Sequence, residues 1–389
     1  MSNIIRNKMK LEVLTPLHIG GADYKSKLDK KEYIFDKDKK TLTLIDNEKF
    51  IAFLIKKNLF EKYIAYIENN VNAKVMIQNR NINLFNFLKA NNIDKDIQDF
   101  RKKAPIKLDM NIENMNDIKL MLRDVQGKPY IPGTSIKGAL INLLLVDYII
   151  KNREKFSKEK RIILSECKKT NDDRSIRGLK NDIKKIVNQI EKSIIYSDNK
   201  SLEKSKKFGI SVSDSYSYSN TRTNFYQDID EKRTNKPGED KSRPMPVARE
   251  YIIANSIFDF DITLDIDLLE ESKLKIKNID DLIDSIENAM SYLIDVLGDK
   301  NSPRTENLVL GANTGFLQKT IVYALFEDEK ERLEVVKKMV HKNQRNAIGN
   351  HLNDKFSPRV LNRIKINNKN QLAGLVKIMK VDEKNVGTN

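Results

Sequence analysis

The chain has 389 residues, with 71 basic and 55 acidic side chains for a formal net charge of +16, and it carries one cysteine and three histidines. That length allows roughly two or three domains with their own cores, and 39% hydrophobic with 7% aromatic residues fits globular units carrying polar insertions. The basic excess points to a polyanionic partner, most simply nucleic acid, with a merely solvated basic surface as the alternative in a chain rich in Lys, Ile and Asn throughout; the lone Cys167 excludes an internal disulfide and fits a reducing, cytoplasmic setting.

The opening MSNIIRNKMK lacks the apolar core and cleavage site of a signal peptide. Met9, Leu11 and Val13 then alternate with Lys10 and Glu12, the period of a half-buried strand ending at Thr15-Pro16. Directly after it, Leu17-His18-Ile19-Gly20-Gly21 gives the backbone freedom to turn or to approach another backbone closely. Tyr33-Ile34-Phe35 and Leu42 to Ile45 read as a hairpin across the charged turn Asp36 to Lys40. From Asn47 to Glu68 the apolar positions Phe50, Phe53, Leu54, Leu59, Tyr63, Ile64 and Ile67 predict one helix, with Asn47 as its cap. The polar stretch 69–107 reads as an insertion, helical around Ile82 to Leu88.

Between Lys128 and Leu145, KPYIPGTSIKGALINLLL, a Pro132-Gly133 turn is followed by Thr134 and Ser135 as caps and by Ile136, Ala139, Leu140, Leu143 and Leu144 at helical spacing. A helix starting here points unpaired N–H groups outward beside Lys137 and Gly138, an arrangement that receives a phosphate; a plain helix start serving only the core is the alternative. The apolar run LINLLLVDYII is interrupted by Asn142 and Asp147, so no membrane span is predicted. Residues 151–207 are basic with few large apolar positions, either a mobile insertion or a solvated helical pair.

Phe208 to Val212 restores a strand. Tyr216 to Pro246 reads as a loop in which four rings interleave with Arg222, Lys232, Arg233, Lys236, Lys241 and Arg243, a composition suited to single-stranded nucleic acid or to an unliganded surface excursion. Val247 to Ile253, containing Arg249, and Ile257 to Leu268 follow as strands, the second with Phe258, Phe260, Ile262, Leu264 and Ile266 on one face. Asp280 to Leu297 is an amphipathic helix. A second glycine loop, Leu310 to Thr320, echoes the first with Gly311, Gly315 and Lys319; its spacing is not that of a P-loop, so nucleotide hydrolysis is not supported. Val360 to Ile366 and Leu372 to Met379 close the chain as strands.

Taken in order, TPLHIGG, EYIFD, YIPGTSIKGAL, VSDS, REYI and LGANTGFLQKT resemble the RAMP superfamily of CRISPR proteins, in an arrangement most like the fifth subunit of the type III-A (Csm) effector complex. The resemblance implies an α+β fold of two ferredoxin-like, RRM-like βαββαβ units: 1–253, with insertions at about 69–107, 151–207 and 216–246, and 254–389. It implies a non-catalytic subunit without cofactors that binds and caps the 3′ region of a guide RNA (crRNA) and supports its maturation and complex assembly in antiviral defence. Its partners would be guide RNA, target RNA, the backbone and small subunits of the Csm complex, and host nucleases, with no membrane. Carried onto matching positions, the RNA-facing residues are His18, Gly20 and Gly21 in the first loop, Gly133, Ser135 and Lys137 at the helix start, and Gly311, Gly315 and Lys319 in the second loop. Arg222, Arg243 and Arg249 would add cations, with 216–246 as a thumb-like excursion between bases of the guide–target duplex.

The residues leave other readings open. His18 with Lys137 can be offered as general base and phosphate cation of a metal-independent guide-processing endoribonuclease, and Asp23 and Asp29 as acids in a comparable loop. His18, His341 and His351 do not pair at zinc spacing, so no metal is predicted. A different RAMP subunit gripping the 5′ tag is a further alternative.

Overall fold

Lys8, Lys10 and Glu12 face solvent while Met9, Leu11 and Val13 are buried, and this alternation builds the central strand of the protein, β1 (Ile4–Val13). In the computed structural model the described residues are 3–21, 26–72, 84–108, 115, 118–170, 173–196, 208–232, 242–297, 307–312, 314, 321–340, 355, 357–358, 360–366 and 369–381. Strand β1 pairs antiparallel on one side with β11 (Ile257–Asp265) and on the other with β15 (Leu375–Lys380). The sheet extends to β7 (Ile210–Val212) and β8 (Tyr216–Ser217) beyond β11, and to β12 (Asn307–Val309) beyond β15.

Two helices cover its apolar face, α4 (Gly133–Lys151) and α8 (Ile279–Leu297), packed on each other and on the sheet in one core. The chain order β1-α4-β7-β11-α8-β15 with the spatial order β15-β1-β11-β7, all antiparallel, is a split βαββαβ circuit of ferredoxin-like type. Helix α4 is long and apolar enough to cross a membrane, and the sequence interruptions at Asn142 and Asp147 do not change that; Ile136, Leu140, Leu143 and Leu144 are instead buried in this core.

A second sheet has the order β14-β13-β9-β10-β6-β2. It is organised on the long hairpin β9 (Thr223–Lys232) and β10 (Ser242–Ile252), flanked by β13 (Val360–Ile366) with β14 (Lys369–Gln371), and by β6 (Ile118–Lys119) with β2 (Lys27–Leu28). Sequence composition predicts a loop over 216–246; the described residues there are mostly strand, because Phe225, Gln227 and Ile229 turn inward and the backbone pairs along β10, with an irregularity between Pro244 and Ala248. Residues 233–241 lie outside the described residues.

The hairpin predicted around Asp36 to Lys40 forms as β3 (Tyr33–Asp36) and β4 (Thr41–Leu44), joined by β5 (Ile106–Lys107) into a third sheet. The single helix predicted over 47–68 is two, α1 (Asn47–Lys56) and α2 (Phe60–Asn72), broken where Asn58 takes a φ of 55°; Asp46, not Asn47, caps the first through Lys49 N–H. With α3 (Leu84–Ala90), these helices bury Phe50, Phe53, Phe87 and Phe100 in a separate small core. The basic stretch after α4 is a helical pair, α5 (Ser157–Lys169) and α6 (Asp173–Ile195), whose Ile163, Cys167, Ile176, Ile183, Ile190 and Ile194 are buried. After α7 (Ile266–Glu270) and α9 (Val322–Leu325), helix α10 (Glu329–Val340) holds this pair: buried Lys338 donates to the carbonyls of Cys167 and Thr170 at the negative end of α5.

The expected tandem of two units divided at residue 253 is not how the strands are shared. Strand β1 lies between β11 and β15, and β13 extends the sheet of β9 and β10, so both sheets take strands from either side of that position. One complete βαββαβ circuit is present among the described residues, and the second sheet joins the hairpins β9-β10 and β13-β14 to β6, which lies parallel to β10, and to β2. A fragment ending at residue 253 removes both neighbours of β1. Urea titration followed by circular dichroism is expected to show no cooperative transition for that fragment alone; a cooperatively unfolding 1–253 fragment would contradict the shared-sheet architecture.

Candidate nucleic-acid interface

The segment following β1 crosses from the first sheet to the second. Leu17 exchanges backbone hydrogen bonds with Ile252 at 3.0 and 2.8 Å, and the His18 carbonyl accepts from the Ala312 N–H at 3.0 Å. The second glycine loop therefore lies directly on the first. Gly311 has a φ of +82°, and a Cβ there would lie 2.1 Å from the His18 carbonyl oxygen, so only glycine fits this crossing.

Helix α4 enters from a third direction. Its first turn is not capped by Thr134 or Ser135: Pro132 is the N-cap, and the Gly133 N–H donates to Asp214 Oδ1 at 2.8 Å. A Cβ on Gly133 would meet the Val212 carbonyl oxygen at 2.3 Å and the Ser213 carbonyl oxygen at 2.5 Å, so this glycine lets the helix start dock on the end of β7. The N–H expected to face a phosphate is thus already occupied by a carboxylate. What the helix start leaves open is the next part of its surface.

Those three segments meet around one cavity of about 560 Å³. Its walls include Gly20, Thr134, Ser135, Gly138, Asn142, Gly311 and Thr314. Thr134, Ser135 and Asn142 bring two hydroxyls and an amide to its lining, the Thr314 hydroxyl donates to the Gly311 carbonyl at 3.1 Å, and Asn142 Nδ2 is buried without an acceptor in the protein. Among the described residues no wall residue is charged. Lys137 is half-buried on α4 beside this wall, and Gly21 follows Gly20 at its edge; Gly315 and Lys319 lie outside the described residues.

His18 lies beneath the cavity, 2% exposed. Its Nδ1–H donates to the Glu250 carbonyl at 2.7 Å, its ring lies 5.6 Å from that of Tyr251, and Gly20 packs over Nε2. Burial, only partly offset by that hydrogen bond, pushes its pKa down to about 4, so the ring is neutral at physiological pH. The Glu250 carboxylate, buried below, accepts from Arg123, from the Thr223 hydroxyl at 2.7 Å and from the Met121 N–H at 3.0 Å. Arg249 is likewise turned inward: its Nε donates to Asp228 at 2.7 Å, and the Tyr251 hydroxyl donates to the same carboxylate at 2.8 Å. Burial pushes the Asp228 carboxyl up, against the pull of Arg249 and Tyr251.

The remaining expected cations sit elsewhere. Arg222 lines a different cavity together with Lys10 and Tyr218, and Arg243 is exposed on β10 opposite Asp230. Asp29, one of the acids offered for catalysis, accepts from the Lys31 N–H at 2.7 Å in a local turn, and Asp23 lies outside the described residues. Among the described residues no group of three or more His, Cys, Asp and Glu side chains is placed to hold a metal ion. Glu250 lies in the REYI motif, but its pairing with Arg123 had no sequence signal, since the two are 127 positions apart.

Residues 10–375 match the family model of the RAMP superfamily. The chain belongs to the RAMP superfamily. This RAMP chain is similar to the CRISPR system Cms protein Csm5 of Streptococcus thermophilus, 28% identical over 276 residues, which cover 68% of this chain and 66% of that protein. It is also similar to the Csm5 protein of Enterococcus italicus, 31% identical over 157 residues, 35% of this chain and 42% of the relative. Both matches span less than two thirds of the relatives' own length. In fold, it resembles a chain of the cryo-EM structure of a Csm-crRNA-target RNA ternary complex from a type III-A CRISPR-Cas system, with a TM-score of 0.59 and 15% identity, covering 96% of this chain and all of that one.

The depressed His18 pKa has a sign. Between the unfolded value near 6.5 and the folded value of about 4, the unfolded chain takes up a proton that the folded chain refuses, so stability present above pH 6.5 is lost as pH falls through that window. The loss is about 3 kcal/mol at most, and the difference in urea midpoint between pH 7.5 and pH 5 is expected to shrink in His18→Asn. Gly311→Ala is expected to lower thermal stability by about 2 kcal/mol or more, whereas Gly178→Ala, with open space at its Cβ, is expected to raise it slightly.

Proposed function

We propose that this protein is a non-catalytic, RNA-binding and assembly subunit of a type III-A CRISPR effector complex, which holds the 3′ region of a guide RNA by its sugar-phosphate backbone. The observation that carries this reading is the convergence of Gly20, the first turns of α4 and the Gly311 loop on one cavity whose walls offer hydroxyl and amide groups. Unhindered glycine surface allows a ribose-phosphate strand to approach closely, and neutral donors contact phosphate oxygens without reading base edges. The net charge of +16 supplies long-range attraction, to which Lys137, Arg222, Arg243 and, in the second loop, Lys319 contribute. The names of the Csm5 relatives and the Csm-crRNA-target RNA setting of the fold neighbour support the same assignment. On this reading the partners are guide RNA, target RNA and the backbone and small subunits, with maturation carried out by nucleases that the chain recruits.

His18 takes a positioning part in this scheme. A buried, neutral imidazole hydrogen-bonded to the Glu250 carbonyl sets the path of the first loop, which is a different task from taking the proton of an RNA 2′-hydroxyl as general base.

Fluorescence anisotropy with guide RNA across a salt series tests the proposal. Affinity is expected to fall steeply with salt, and Lys137→Ala to weaken binding alike across RNA sequences while lowering the salt slope by about 1. Gly138 lines the cavity and has open space at its Cβ, so Gly138→Met places a side chain at the cavity wall and is expected to cost about tenfold in affinity. Unchanged binding by Gly138→Met, or affinity indifferent to salt, overturns the proposal. Crosslinks mapped in the assembled complex distinguish the 3′ end from the 5′ tag.

A further inference from the structure

A second cavity, of about 580 Å³, opens on the solvent side of the first sheet, where β8 and the turn between β10 and β11 meet β1. Lys10, Asp259 and Tyr216 lie side by side across β1, β11 and β8, and their row faces away from the helices because Leu11, Phe258 and Phe260 take the inner face. The cavity is lined by Lys10, Tyr218, Asn220, Arg222, Asn255 and Ile257, among others, and among the described residues its two charged ones are both cations. Tyr218 is 45% exposed, yet its ring is anchored, since its hydroxyl donates to Asp259 Oδ2 at 2.6 Å. The floor is equally fixed. Asn255, at a φ of 64°, donates its N–H to the Val13 carbonyl at 2.7 Å, and Ser256 Oγ donates to the Ile253 carbonyl at 2.8 Å.

A held aromatic face, two cations and two side-chain amides in one recess match the parts of a nucleoside monophosphate: a flat base, an anionic phosphate and a polar base edge. We propose that this cavity takes one unpaired nucleotide of a single-stranded RNA, its base stacked on Tyr218, its phosphate between Lys10 and Arg222, and its edge at Asn220 and Asn255. A strand is favoured over a free nucleotide because the surface continues past the recess: Tyr216, 70% exposed and paired on β8 with Asp259, adds a second ring along the same face. The nearby carboxylates are engaged, Asp259 by Tyr218 and Asp261 by Arg6 at 2.7 Å. The site is separate from the glycine-lined cavity. Strand β1's exit lies between them, with Val13 hydrogen-bonded to the turn that floors this one and Gly20 lining the other. The inference rests on the RNA-binding reading and adds a stacking subsite to it.

The test uses the purified full-length protein and short single-stranded RNA carrying 5-iodouridine, with irradiation and mass-spectrometric mapping of the crosslinked peptide. Tyr218 is expected in the crosslink; Tyr218→Ala should weaken RNA binding about tenfold, and Tyr218→Phe, which keeps the ring, should remain within about threefold of the wild type. Lys10→Ala combined with Arg222→Ala should weaken binding and flatten its salt dependence. Melting curves of each variant separate a binding loss from a folding loss, and if the Ala variant fails to fold the wild-type crosslink decides the matter, since a crosslink mapped away from Tyr218 overturns the proposal. If Tyr218→Ala and Tyr218→Phe both bind as the wild type does while Gly138→Met is impaired, the stacking site is wrong and the RNA reading stands. If the wild-type protein binds no RNA at low salt, both fall. Equal protection of Tyr218 by adenosine monophosphate, or equal crosslinking by fully paired duplex RNA, also overturns the proposal, since it requires an unpaired residue within a strand.

Discussion

The crossing of the Leu17–Gly20 segment over the second glycine loop is the constraint on which the rest of the molecule depends. Leu17 is tied to the last residue of β10, the His18 carbonyl to Ala312, and the His18 imidazole to the Glu250 carbonyl. A few consecutive residues thus hold together the first sheet, the second sheet and the loop that follows β12. The Leu17 N–H and C=O and the His18 C=O find their partners within the protein, and the glycine at position 311 is what brings the two segments close enough for that pairing.

From this knot follows the division of labour among the charged residues. Arg123, Arg249 and Arg363 reach carboxylates that are themselves partly or wholly buried, Glu250, Asp228 and Glu231. Such pairs define one arrangement of the strands because removing either partner leaves an uncompensated charge inside the protein. They also withdraw those arginines from any role toward a ligand. On the RNA-binding reading proposed above, contacts to a polyanion would fall to the cations that remain at the surface, such as Lys10, Arg222 and Arg243, together with neutral donors in the glycine-lined cavity.

Burial of α4 illustrates the same economy in the core. Taken alone, the helix has the length and hydropathy of a bilayer span, yet its apolar side is consumed by the first sheet and by α8, while Gly138, Asn142 and the Thr134-Ser135 pair are left on the side that faces the glycine loops. One helix supplies both the main core and one wall of the cavity. The helical pair α5 and α6 then adds to that core, so a stretch whose composition suggests a solvated arm is instead anchored by a stripe of isoleucines and by Lys338.

What the sequence by itself determined is what depends on neighbours along the chain. The period of two in β1 and β11, the period of 3.6 in α4 and α8, the hairpin around Asp36 to Lys40, and the order of glycine-bearing motifs that marks the RAMP superfamily were all legible, because each is written in residues a few positions apart. Only the tertiary structure decided which partners those elements found. Gly133 docks on the backbone of β7 and its N–H goes to Asp214, Arg249 meets Asp228, the His18 ring donates to the Glu250 carbonyl, and the strands on either side of residue 253 share both sheets. The physical reason is separation: these contacts join positions tens to hundreds of residues apart, and local composition carries no record of which distant carbonyl or carboxylate will occupy a donor.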